Sequence, residues 1–186
     1  MHVDADATPH ARLFIGLWPP GTVREAVLRH AERWSWPRGV RRVRGDKVHM
    51  TLHFLGALPR ERVADLRDGL AVAFEPFALH LDRDAVWPGG IAVLDPTVVP
   101  PALPALHARL GDALQRCGIT PERRPWRAHL TLARRAQGAV PPVDGAGIDW
   151  PVEGYALIES DLRPPARYRV IAAWPSGSDS GWTAPT

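Results

Sequence analysis

The sequence predicts an α+β fold of two similar lobes, and three observations predict it. A short string is duplicated: His49-Met-Thr-Leu52 returns as His129-Leu-Thr-Leu132, 80 positions later (129 − 49). Apolar and polar residues alternate around both copies, which is the period of a half-buried strand. Segments with apolar residues at helical spacing lie beside each strand, so each half supplies helix and strands around one motif. Within such a strand His49 and Thr51 share one face while Met50 and Leu52 share the other, and His129 and Thr131 repeat this against Leu130 and Leu132. Two strands facing each other would make a cleft holding two imidazoles and two hydroxyls.

Taken in order, Arg12 to Trp18 reads as a buried first strand ended by Pro19-Pro20-Gly21, and Thr22 as the N-cap of a helix through Arg33 with Val23, Ala26, Val27 and His30 inward. Pro37 to Gly45 is a basic loop with a short strand at Val40 to Val43, and the first motif strand is stopped by Gly56 and Pro59. A second helix is expected from Arg60 to Phe74, with Val63, Leu66 and Leu70 in its buried stripe. Phe77 to Asp82 and Ile91 to Leu94 read as strands that pair across Pro88-Gly89-Gly90, and the proline-rich run Asp95 to Pro104 as the junction between halves. Leu106, Leu110, Ala113 and Leu114 form a helical stripe capped at Gly118. Gln137 to Gly147 lacks periodicity and is expected to be a mobile loop, and Tyr155 to Ser160 and Tyr168 to Trp174 form a closing hairpin. Residues 12–174 are expected to form a single bilobal domain, with 1–11 and 175–186 as flexible tails.

Charge is distributed unevenly. The formal net charge is only +3. Yet Arg38, Arg41, Arg42, Arg44 and Lys47 precede the first motif, and Arg123, Arg124, Arg127, Arg134 and Arg135 bracket the second. Asp46 is the only acid inside these windows, so the motifs sit in positive potential and an anionic ligand is implied. One cysteine, Cys117, excludes an intramolecular disulfide framework. Leu13 to Trp18 is too short for a membrane span. A soluble, cytoplasmic, monomeric protein with no membrane association is expected.

Paired His-x-Thr-Leu motifs at this separation, with Arg12-Leu-Phe-Ile-Gly-Leu-Trp-Pro-Pro20, His49-Met-Thr-Leu-His-Phe-Leu-Gly56, Arg124-Pro-Trp-Arg-Ala-His-Leu-Thr-Leu-Ala-Arg134, Tyr155 to Leu162 and Arg167-Tyr168, resemble the 2H phosphoesterase superfamily. The closest resemblance is to its RNA 2′,3′-cyclic phosphodiesterases, also named 2′-5′ RNA ligases. It implies a bilobal fold with pseudo-twofold symmetry and two antiparallel sheets facing across a cleft, with helices outside. It also implies hydrolysis of 2′,3′-cyclic phosphate ends of RNA, or of cyclic nucleotides, to 2′-phosphates, without metal or cofactor. 2′-5′ ligation or 2′-5′ phosphodiester cleavage is the same-site alternative, and a non-catalytic RNA- or nucleotide-binding module the alternative of a different class.

Opening a cyclic phosphate with water needs a base for the water proton and an acid for the departing ribose oxygen. Two imidazoles on opposite sides of one phosphate can supply both, because histidine titrates near neutral pH. The residues do not fix which ring is acid and which is base; for hydrolysis to a 2′-phosphate the expectation is His129 as base and His49 as acid. Thr51 and Thr131 can donate hydroxyl hydrogen bonds to the non-bridging oxygens. The resemblance adds Arg134 as a phosphate ligand. Arg134 is five residues after His129, so strict alternation turns it away from the cleft, and a bulge or strand end must redirect it. Phe14 and Trp126 are candidates to stack on a base. His53 shares a face with His49 by alternation, as support or as a His-x-x-x-His metal pair, although no Glu follows His49 as in the zinc motif.

Overall fold

A computed structural model describes residues 10–161, 163 and 167–176. The elements are β1 (His10–Leu17), α1 (Gly21–Glu32), β2 (Arg41–Arg42), β3 (Met50–Pro59), α2 (Arg62–Gly69), β4 (Phe77–Leu81), β5 (Arg83–Trp87), β6 (Ile91–Asp95), α3 (Ala102–Arg116), β7 (Leu130–Arg134), β8 (Ile148–Val152), β9 (Gly154–Asp161) and β10 (Arg167–Pro175). The strands form antiparallel sheets in the orders β10-β9-β1-β3 and β2-β7-β6-β5, with β4-β8 as a separate pair. Each motif therefore opens the strand of a different sheet, with His49 just before β3 and His129 just before β7.

The two lobes are not the two halves of the chain. The C-terminal hairpin β9-β10 completes the first-motif sheet, while β2, β5 and β6 from the first half build the second-motif sheet. Helices cross over too: α3 packs on β3 and α2, whereas α1 packs on β8. The proline-rich run before α3 thus carries the chain from one lobe to the other without dividing it.

Alternation explains how one sheet serves two cores. Leu13, Ile15 and Leu17 of β1 point into the main core with Met50 and Leu52, against Leu106, Leu110, Ala113 and Leu114 of α3. All are almost fully buried, and each Leu, Ile or Met side chain among them contributes about 1.5–3 kcal/mol. Gly118 closes α3 in the left-handed region at φ 71°, its N–H bonding the Gln115 carbonyl while the Ile119 N–H bonds that of Leu114. The opposite face of the sheet carries a second cluster, Phe14, Trp18, Ala156 and Ile158, with Tyr168, Val170 and Ala173 packed against it. That cluster is the floor beneath the first motif.

Several expected boundaries shift for identifiable reasons. Thr22 lies inside α1 and makes no cap, because Pro20 holds the preceding extended position. The second helix stops at Gly69, since the Tyr155 hydroxyl donates to the Leu70 carbonyl (2.9 Å) and accepts from the Val72 N–H (2.9 Å). The first motif strand runs through Gly56, which sits at φ 76° just after a bulge. Phe77–Leu81 pairs with β8 rather than β6, because Arg83–Trp87 is itself a strand and reaches β6 through Pro88-Gly89-Gly90. The irregular run from 137 to 147 is tied down by reciprocal backbone bonds between Ser35 and Val140 (2.9 and 3.0 Å). Strand pairing begins at His10 rather than Arg12 and ends at Pro175. The tails expected at 1–9 and 177–186 lie outside the described residues. Among the described residues no helix is long and apolar enough to cross a membrane.

Candidate active site

His49 is held by its own strand entry. Its Nδ1 lies 2.7 Å from the Lys47 carbonyl, and a carbonyl only accepts, so Nδ1 carries the hydrogen and Nε2 keeps its lone pair. Thr51 Oγ1, 3.1 Å from Nε2, donates to it. The ring rests among Trp18 (stacked, centroids 5.2 Å apart), Phe14 (4.8 Å) and Tyr168 (edge-on, 5.5 Å). Burial among these rings pushes the His49 pKa down to about 4, the Lys47 carbonyl opposes, and the charges of His129 and Arg134 lower it further. Gly16 on β1 permits the close approach: a Cβ there would sit 2.9 Å from the Met50 carbonyl oxygen and 3.5 Å from the Phe14 ring.

His129 repeats the arrangement with different neighbours. Its Nδ1 donates to the Arg127 carbonyl at 2.8 Å, which again leaves Nε2 for chemistry, and Trp87 packs against the ring at 4.4 Å. Burial lowers its pKa, opposed by the Arg127 carbonyl and by the buried carboxylate of Asp95, and reinforced by Arg127 and Arg134. Asp95 is itself held by the Arg83 guanidinium (2.7 and 3.1 Å).

The redirection that Arg134 requires is present. Along β7 the register passes from Val93↔Thr131 to Ala92↔Ala133, so Leu132 is an extra residue. Leu132 and Ala133 both turn to the core, and Arg134 emerges exposed on the side of Thr131. Arg135 then turns the chain at φ 57°. The guanidinium makes no ion pair among the described residues, and its charge is felt by His49, His129 and Tyr168 alike. His49, His129 and Arg134 are thereby brought into one electrostatic site, with Thr51 and Thr131 on the two strands that meet there.

The sequence matches the 2′-5′ RNA ligase superfamily over residues 18–167. The chain belongs to this family. It is 32% identical over 166 residues to the RNA 2′,3′-cyclic phosphodiesterase of Thermus thermophilus, covering 82% of this chain and 83% of that one. To the protein of the same name from Escherichia coli it is 30% identical over 171 residues, covering 88% and 95%. Its fold is similar to the crystal structure of E. coli LigT complexed with 3′-AMP, with a TM-score of 0.80 at 27% identity over 90% of this chain and 98% of that chain.

In this member of the superfamily the same bulge recurs in β3 and corrects the placing of His53. Leu52 is the extra residue in β3, between Ile15↔His53 and Gly16↔Thr51, which matches Leu132 in β7. His53 therefore turns away from His49 into the core, where its Nε2 donates to the His107 carbonyl of α3 (2.8 Å) and its ring stacks on His107. It cannot share an ion with His49. Trp126 stacks on the other neighbour of that group, His107, and its indole N–H bonds the Thr51 carbonyl (2.9 Å), so it pins the first motif from the segment leading to the second. Phe14 is buried under His49. Phe14 therefore offers no face to a base, and Trp126 gives one face to His107. The residue that sequence reasoning missed is Phe54, which occupies the β3 position equivalent to Arg134. It is 43% exposed, and the Arg12 guanidinium lies over its ring at 4.7 Å. Only knowledge of the bulge could have moved Phe54 to the cleft face.

Proposed function

We propose that this protein hydrolyses 2′,3′-cyclic phosphates at RNA ends or on nucleotides to 2′-phosphates, with His49 and His129 as its acid/base pair. The observation that carries this reading is the matched tautomer: both Nδ1–H groups are committed to carbonyls two residues upstream, so both Nε2 atoms are left for proton transfer. The names of the relatives support the substrate class.

His129 takes a proton from water as its oxygen bonds to phosphorus, and His49 gives its proton to the departing 3′ ribose oxygen as the P–O3′ bond breaks. At neutral pH His49 is uncharged in the free protein, so it acquires that proton together with the substrate, whose phosphate anion restores its basicity. Thr51 exchanges its bond to His49 for a phosphoryl oxygen, Thr131 contacts another, and Arg134 balances the developing charge. Phe54 with Arg12 over it offers an aromatic face for the base. With a 5′-hydroxyl of a second strand in place of water, the same steps would form a 2′-5′ linkage, which is ligation. Residues 12–174 act as one bilobal unit, supported by the exchange of strands between lobes, and we read it as a cytoplasmic monomer.

The test is incubation with adenosine 2′,3′-cyclic phosphate and a cyclic-phosphate-ended oligonucleotide in EDTA, with phosphorus NMR of the product. A 2′-phosphate from wild type, and none from His49→Ala or His129→Ala, is the expected result. A 3′-phosphate product, or full activity in either variant, would overturn it.

A further inference from the structure

Both histidines pack against an aromatic ring that also carries a cation over its face. Tyr168 lies edge-on to His49 with the Lys47 ammonium 4.9 Å from its centroid, and Trp87 lies against His129 with the Arg127 guanidinium 4.4 Å from its centroid. In each case the cation belongs to the residue two positions before the histidine, the residue whose carbonyl already holds Nδ1. The rings come from unrelated places, β10 and β5, and differ in type. The same arrangement has thus been assembled twice from different parts of the chain.

Other features narrow its purpose. The Trp87 indole N–H is buried without a hydrogen-bond partner among the described residues, which is unfavourable, so the ring is kept for its faces. Lys47 is the chain's one lysine, is half-buried, and has no carboxylate partner among the described residues. The Nδ1–H···O=C bond alone lets an imidazole swing about that bond; at His129 no other ring hydrogen bond is made among the described residues, and at His49 the Thr51 hydroxyl and the rings of Trp18 and Phe14 hold it on other sides. A ring wedged against it removes the swing, and a cation attracted to that ring fixes the wedge.

We propose that Tyr168 and Trp87 are positioning residues for His49 and His129, each fixed by the cation of a Lys/Arg-x-His-x-Thr unit, so that the motif extends to Lys47 and Arg127. This rests on the acid/base reading of the histidines. The two can be tested apart, because ring orientation and proton affinity are visible without turnover.

The experiment compares Tyr168→Phe with Tyr168→Leu, Trp87→Phe with Trp87→Leu, and Lys47→Met with Arg127→Met. Each is read by kcat and KM on adenosine 2′,3′-cyclic phosphate and by NMR titration of the histidine rings. The Leu variants should lose roughly 10- to 100-fold in kcat with little change in KM, the cost of about an ångström of misplacement. The Phe variants should stay within about threefold of wild type, and the Met variants should lose about 2- to 5-fold. In Tyr168→Leu the His49 titration should move up toward the ordinary histidine range. The proposal fails if the Leu variants keep wild-type kcat and ring titrations, or if Tyr168→Phe is as impaired as Tyr168→Leu. If a Leu variant does not fold, the Met variants at the half-exposed cations decide by the same readouts. A wild type without turnover whose His49 titration still responds to Tyr168→Leu would sink the functional reading and leave the positioning role standing.

Discussion

The two motif sites begin from the same four-residue string and end in different surroundings. His49 sits on an aromatic floor of Phe14, Trp18 and Tyr168, and its Nε2 is already engaged by Thr51. His129 has one aromatic neighbour, an open Nε2, and a buried carboxylate, Asp95, that favours its charged form. Beyond the shared bulge the first strand presents Phe54 where the second presents Arg134. Duplication supplied two alike imidazoles, and the residues around them differ: in the reading proposed above, the side of Phe54 takes the base and the side of Arg134 takes the phosphate.

The largest break in this comparison comes from removing an imidazole. His49→Ala and His129→Ala should each lower kcat by about 10²–10⁴. They should differ in stability, with His49→Ala lowering Tm more because it opens a cavity among three rings. Next, Arg134→Ala should reduce kcat/KM about 10- to 100-fold for every base, the value of a charge-assisted hydrogen bond. Phe54→Ala should cost about 5- to 100-fold on nucleotides and nothing on a ribose 2′,3′-cyclic phosphate lacking a base. Equal losses on both substrates would erase the distinction between the two sides.

A smaller effect concerns acid stability. Burial holds the pKa values of His49 and His107 at about 4 and lowers those of His53 and His129, so between the ordinary value near about 6.5 and about 4 the unfolded chain binds more protons than the folded one. Stability should therefore fall as pH is lowered through that window, and urea midpoints measured across it should decrease monotonically. The smallest effect is at His53. His53→Asn should change kcat by less than about threefold, because the ring lies behind the sheet.

Much of this was legible in the residues, and the parts that were not have physical reasons. The strands around His49 and His129, the stripe of α3 and the closing hairpin follow from periodicity, which local sequence carries. The exchange of strands between lobes does not, since it depends on which sheet edges meet after long connections. Likewise alternation placed His53 beside His49 and turned Arg134 away. One unpaired leucine in each strand reversed both, and Leu52 and Leu132 are apolar residues that any strand would accept. Trp87 carried no motif, and Tyr168 stood out only within the Arg167-Tyr168 pair near the end of the resemblance, because contact across the fold is not written in local sequence.

Two neutral imidazoles that share one working proton are the centre of the proposed mechanism, and the pH dependence of kcat/KM tests them most directly. It should be bell-shaped with both limbs below the ordinary histidine value of about 6.5, because turnover needs one ring protonated and the other neutral, and taking up that proton with the substrate grows harder as pH rises above the lowered pKa values. A single sigmoid, or a plateau that extends above neutral pH, would contradict it.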